Sequence, residues 1–174
     1  MTNRLIYKMS PIKLLTLLCG IIILIQACEK KSTSETAVKP SFDIIQEKIL
    51  NVSCALSGCH ASTSDPSFAQ HGLLLTPGKS YANLVGVLAK NSAAASLRLK
   101  LVNPKDPDNS FLVHKIACET GHHASTANFG AHMPLGGNFL TQGEVEFIRK
   151  WIINGASATD GSVNEILLEN KNPC

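Results

Sequence analysis

The chain has 174 residues, 44% of them hydrophobic and 17% charged, and its 16 basic and 13 acidic side chains give a formal charge of +3. Three of the basic residues, Arg4, Lys8 and Lys13, fall in the first 27 positions, where there is no acid, so the remainder carries 13 basic against 13 acidic side chains. That balance excludes the strongly basic surface expected of a nucleic-acid binder, and the length suits one domain of ordinary size.

Arg4, Lys8 and Lys13 precede an apolar run from Leu14 to Ile25, the arrangement of a secretory signal. The run has about 12 residues, against the roughly 20 that a membrane-spanning helix needs. It ends in Leu24-Ile25-Gln26-Ala27-Cys28, which resembles a bacterial lipobox, where a small residue precedes the cysteine that is acylated and becomes the mature N-terminus. Residues 1–27 are therefore expected to be a lipoprotein signal peptide, with Cys28 lipidated and the protein held to a bacterial membrane by its acyl chains, facing the periplasm or the cell exterior. Residues 28–40 are mostly Lys, Ser, Thr and Glu and read as a flexible tether.

Folding is predicted to begin at Ser41, a suitable N-cap, with Phe42, Ile45, Ile49 and Val52 at helical spacing behind it. This helix leads into Cys54-Ala55-Leu56-Ser57-Gly58-Cys59-His60. Two thiols followed at once by an imidazole are what covalent haem attachment requires: the sulfurs add to the two vinyl groups of the porphyrin, and the adjoining histidine ligates the iron. The spacer common in c-type attachment is two residues. Here it is four, so the segment between the thiols must bulge or coil further.

Residues 61–72 carry Ser, Thr, Asp and Pro, which is loop chemistry. Leu73-Leu74-Leu75 returns to the core, Pro77-Gly78 turns the chain, and residues 80–88 read as a short helix with Tyr81, Leu84, Val85 and Leu88 on its apolar side. After a small-residue stretch and Leu99-Lys100-Leu101-Val102, Pro104 and Pro107 exclude a continuous helix. Asp108 or Asn109 can cap the next helix, which would bury Phe111, Leu112 and Ile116 and end near Cys118. Residues 119–131 read as a loop. Thr141-Gln142-Gly143-Glu144 is a capping box that opens the final helix. Val145, Ile148, Trp151 and Ile152 form its buried stripe, and Asn154-Gly155 stops it. Residues 41–160 are thus expected to form one all-α domain of short helices and long loops, and residues 161–174 a C-terminal tail. Long loops suit a cofactor domain, because a porphyrin supplies apolar surface that short helices do not.

An iron held by His60 needs a sixth ligand, and Met133 in Met133-Pro134-Leu135-Gly136-Gly137 is the leading candidate. Of the three methionines, Met1 and Met9 lie in the signal, so Met133 is the thioether left to the mature chain. Pro134 biases Met133 towards extended backbone, and a thioether ligand raises the reduction potential. The competing reading makes Met133 a filler of a core gap. His132 can replace it after a small loop shift. His122 and His123 read as exposed loop residues, His114 as a helical residue satisfied by solvent or a hydrogen bond, and His71 as a loop residue. Trp151 either borders the cofactor or packs in the core. Cys118 and Cys174 either pair in a disulfide, worth about 4 kcal/mol for a loop of that size, or leave Cys174 a free thiol on a frayed end.

An ordered set of segments carries a family resemblance: Cys54 to His60, Gly72-Leu73-Leu74-Leu75, Tyr81-Ala82-Asn83-Leu84-Val85, Val102-Asn103-Pro104 with Asp106-Pro107-Asp108-Asn109-Ser110-Phe111-Leu112, Met133-Pro134, and Ile148 through Ala156. In this order they resemble the small single-haem cytochrome c domains of bacterial lipoproteins, including those called planctomycete-type cytochrome c. The resemblance spans roughly residues 42–156. It implies a cytochrome c fold, haem c linked at Cys54 and Cys59, His60 as proximal ligand and Met133, by position, as distal ligand. The expected function is single-electron carriage between redox protein partners, with no enzymatic step. Two alternatives use the same residues. One is a haem-free lipoprotein that keeps the fold as an interaction or structural module. The other is a zinc-binding domain built from Cys54, Cys59, His60, Cys118 and His122.

Overall fold

The computed structural model describes residues 38–118 and 128–174. The expected signal peptide, Cys28, most of the tether, His122 and His123 lie outside the described residues.

Helix α1, Ser41–Ile45, runs straight into a π-helical segment, Gln46–Cys54. Pro40 stands at the N-cap, and Ser41 is the first helical residue instead. The predicted stripe fails at its last member: Val52 is 63% exposed. Bonding from residue i to i+5 changes the period that matters, and the apolar doublets Ile44-Ile45, Ile49-Leu50 and Cys54-Ala55 recur every five residues. The first two doublets are fully buried, and Cys54 and Ala55 pack against the same core. The Ala55 amide donates to the Leu50 carbonyl at 2.7 Å.

Inside the stretch read as a loop, Pro66–His71 forms helix α2. Pro66 is at the first turn, where its missing N–H costs nothing. Gly72, at φ 60°, ends the helix. His71 is thus the last residue of a helix and not a loop residue. Helix α3, Ser80–Leu84, is shorter than predicted. Gly86, at φ 78°, turns the chain, and the next residues find partners across from them: Gly86 N to Val102 O at 2.9 Å, Leu101 N to Val87 O at 2.6 Å and Ala89 N to Leu99 O at 2.9 Å. Leu88 is 56% exposed as a result, outside the apolar side expected for it. These pairings are isolated, and no sheet forms among the described residues. The small-residue stretch holds helix α4, Ser92–Ser96, whose N-cap Asn91 accepts from the Ala94 amide at 3.0 Å.

Helix α5, Phe111–Ile116, starts from Ser110, not from Asp108 or Asn109, and buries Val113 where Leu112 was expected. Asp106 is the reason: its carboxylate holds Asn109 through both the backbone amide and the side chain, while its carbonyl accepts the Ser110 hydroxyl at 2.8 Å. That turn closes before the helix opens. Helix α6, Gln142–Ile153, has the predicted capping box, with Thr141 N to Glu144 Oε2 at 2.8 Å and Glu144 N to Thr141 Oγ1 at 3.3 Å. Its buried face contains the four predicted residues together with Gly143 and Phe147.

Residues 161–174 are part of the folded unit and not a tail. Val163 and Leu168 are buried in the main core, and Glu165–Glu169 forms a 3₁₀ turn. The buried Ser41 hydroxyl accepts from the Val163 amide at 3.1 Å, and Gln142 N donates to Asn172 O at 2.9 Å. A side chain at Gly143 would collide with the carbonyls of Leu167 and Asn170, so a glycine is needed where this segment crosses the start of α6. Cys118 and Cys174 are joined in a disulfide. The main core gathers α1, the π-helical segment, α6 and the C-terminal turn, and a smaller cluster of Ala89, Ala94, Leu99, Phe111 and Phe129 adjoins α5. Among the described residues no helix is long and apolar enough to cross a membrane.

Candidate cofactor site

The π-helical segment delivers Cys54 on its buried side, at the end of the five-residue repeat. Cys59 follows after a turn in which Cys59 N donates to Leu56 O at 3.0 Å and Gly58 takes φ 82°. Both thiols are half-buried and unbridged. Burial first, and then the neighbouring Cys59 and Glu144, push the Cys54 thiol up to about 11, so it stays protonated near neutrality.

His60 is held at two points by the segment 73–75. Its carbonyl accepts from Leu75 N at 2.9 Å, and its Nδ1 lies 3.1 Å from the Leu73 carbonyl. A carbonyl can only accept, so the contact assigns the proton to Nδ1 and leaves the Nε2 lone pair to act as a ligand. Burial lowers the pKa of this imidazole, which favours the neutral form that metal ligation requires. The clamping segment is itself fixed. Asn83 donates to Leu74 O at 3.0 Å, and buried Gln46 donates to Leu75 O at 2.9 Å while its own oxygen accepts from the Ser80 hydroxyl. A buried amide with its hydrogen-bonding groups matched is a positional constraint on the segment it holds.

The Asp65 carboxylate gathers three backbone amides of the motif loop, from Gly58 and Ala61 at 3.0 Å each and from Ser62 at 2.8 Å. These bonds, with the one from Gly58 foremost, lower its pKa.

Met133 sits in a segment anchored to α5. Its amide donates to Lys115 O at 2.7 Å, and the Lys115 ammonium donates to the carbonyls of Phe129, at 3.0 Å, and Ala131. The Met133–Pro134 peptide is cis. Met133 borders the main core cluster, as do Cys54 and Leu73. The alternative ligand His132 donates from Nε2 to Ala117 O at 2.6 Å, which leaves its buried Nδ1 without a hydrogen-bond partner, and its ring stands edge-on to Phe139. The His114 ring lies against Phe129. Trp151 is 2% exposed, packs on Phe42 and donates to Ser157 O at 2.8 Å, the core role of the two weighed for it.

This donor set suits a haem. Two unbridged thiols precede a histidine whose Nδ1 is occupied and whose Nε2 is available. Large apolar side chains in the segments of the two candidate ligands, Val52 and Leu56 near His60 and Leu135 and Phe139 near Met133, lie open to solvent. Of the zinc set, Cys118 is bonded to Cys174 and His122 lies outside the described residues, and no group of three His, Cys, Asp or Glu side chains able to hold a metal occurs among the described residues. A haem iron does not need such a group, because the porphyrin supplies four of its donors. Sequence reasoning missed Gln46, Asp65 and Lys115. Only Asp65 left a trace, since Asp before Pro is a helix-start signal. Comparison with known proteins finds no matching family model, no matching curated protein and no matching solved structure.

Proposed function

We propose that the protein is an extracytoplasmic, lipid-anchored c-type cytochrome that carries single electrons between redox protein partners and catalyses no reaction of its own. In this reading residues 42–156 take a cytochrome c-like arrangement, Cys54 and Cys59 hold haem c through thioether bonds, and His60 and Met133 are the axial ligands. When bound, the haem supplies a one-electron ferric/ferrous couple. The residues of the chain orient and shield it. The π-helical segment fixes the first sulfur, the Leu73 carbonyl fixes the imidazole and its tautomer, and Lys115 anchors the segment that offers the thioether. With His60 and Met133 both holding the iron, no position would be left for a substrate, which is the basis for a carrier role.

The observation that carries the reading is His60, placed directly after the second thiol with Nδ1 bound to a backbone carbonyl at 3.1 Å. Visible spectroscopy of the wild type and Met133→Ala tests it. The expected wild-type spectrum is low-spin and six-coordinate, and the variant should change spin state and fall in reduction potential. An unchanged spectrum and potential would remove Met133 from the iron.

A further inference from the structure

We infer that Asp65 is the positioning residue of the attachment motif, fixing the Cys59–His60 turn so that the second sulfur and the imidazole are presented together. The inference rests on the haem reading above. A four-residue spacer leaves more backbone between the sulfurs than the two-residue spacer does, and that backbone has to be held in one shape. Cys54 is already fixed, because it ends the π-helical segment. Cys59 and His60 lie beyond Gly58, whose φ of 82° is a conformation that glycine adopts freely and other residues do not. No neighbouring atom would meet a side chain there, so the glycine serves the backbone turn and not close packing.

Asp65 spans this turn. Its Oδ1 accepts from Gly58, before the Cys59–His60 pair, and its Oδ2 accepts from Ala61 and Ser62, after it. One carboxylate therefore brackets the pair from both sides, with charge-assisted bonds that do not depend on the side chains of the residues it holds. Asp65 is itself anchored, with its amide donating to Ser62 O at 3.2 Å and its carbonyl accepting from Phe68 N at 2.9 Å in the first turn of α2. Each attachment adds a thiol S–H across a vinyl C=C, the sulfur going to one carbon and the hydrogen to the other, with no net oxidation. The geometry Asp65 imposes bears on the second of these additions more than on the first.

The test is full-length Asp65→Asn and Asp65→Ala co-expressed with a cytochrome maturation system, with attachment at Cys54 and at Cys59 counted separately by peptide mass. An asparagine has a single acceptor oxygen. It can serve Ala61 and Ser62 or serve Gly58, but not both, and its amide hydrogens then oppose the N–H left over. The expected result is a several-fold lower proportion of doubly attached haem in Asp65→Asn and a lower one again in Asp65→Ala, with the lost attachment at Cys59 and that sulfur free to alkylate. Doubly attached haem in wild-type proportion in both variants would overturn the inference. Wild-type protein without haem would instead overturn the haem reading and the attachment role with it. The clamp is then judged on the haem-free protein by amide exchange. Lost protection at Gly58 in Asp65→Asn, with the α6 amides unchanged, supports it, and unchanged protection at Gly58 overturns it.

Discussion

At Cys54, the apolar surroundings that fix the sulfur also hold its proton. The folded thiol titrates at about 11 against an ordinary value of 9.0, with burial as the leading cause and the neighbouring Cys59 and Glu144 adding to it. A pKa raised in the folded state stabilises the fold fully below the ordinary value, and that contribution is lost as pH rises through about 11. In haem-free protein at pH 8, Cys54 should carry about a hundredfold fewer thiolates than an unstructured cysteine. Pulse alkylation followed by peptide mass reads this directly: the rate at Cys54 should keep climbing towards pH 11, and a plateau near pH 9 would contradict the burial described here. The two sulfurs and the adjoining imidazole stand out in the sequence because the chemistry proposed for them dictates those residue types. The residues that hold them do not. Gln46 is one of several polar residues in its helical segment, and nothing in its neighbours indicates that it reaches Leu75, 29 positions away. Asp65 lies within a run of Ser and Thr whose composition signals a loop, and its partners are backbone amides, which leave no mark in a sequence.

Among the elements, α6 was the most legible, because a capping box and an apolar stripe are both local signals. Replacing Thr141 by Ala removes the hydroxyl that accepts the Glu144 amide and should cost about 1 kcal/mol, measured as a lowered denaturant midpoint with an unchanged slope. No change in midpoint would mean that the helix start is held entirely by the C-terminal segment that crosses it. The segment before the motif misled in an instructive way. A 3.6-residue period selects Phe42, Ile45, Ile49 and Val52, and a five-residue period selects the doublets that are in fact buried. The two patterns share Ile45 and Ile49, and of the four residues in the helical stripe only Val52 is exposed, so three of its four positions are buried under either period. Helices α2 and α4 were missed for a different reason. Each has six residues or fewer, too short for a periodic signal, and each is held by its first residues: Pro66 in α2 and the Asn91 cap in α4.

For the molecule as a whole, the helical class was legible and the extent of the fold was not. Val163 and the short run Ile166-Leu167-Leu168 stand in a polar stretch, which from sequence resembles a tail. Val163 and Leu168 reach the core because Ser41, Gly143 and the Cys118–Cys174 bond bring the C-terminus back over α1 and α6. The result is a compact body in which the segments of the two candidate ligands each leave large apolar side chains uncovered, Val52 at 63% and Leu135 at 70% exposure. The function proposed above requires one haem held covalently at Cys54 and Cys59. Intact mass of the mature protein, purified from a host competent in cytochrome maturation and treated with a thiol alkylator, tests it most directly. The account predicts a mass increase of one haem that survives acid extraction, with neither Cys54 nor Cys59 alkylated. A colourless protein whose mass shows no haem and an alkyl adduct at each of Cys54 and Cys59 would contradict it.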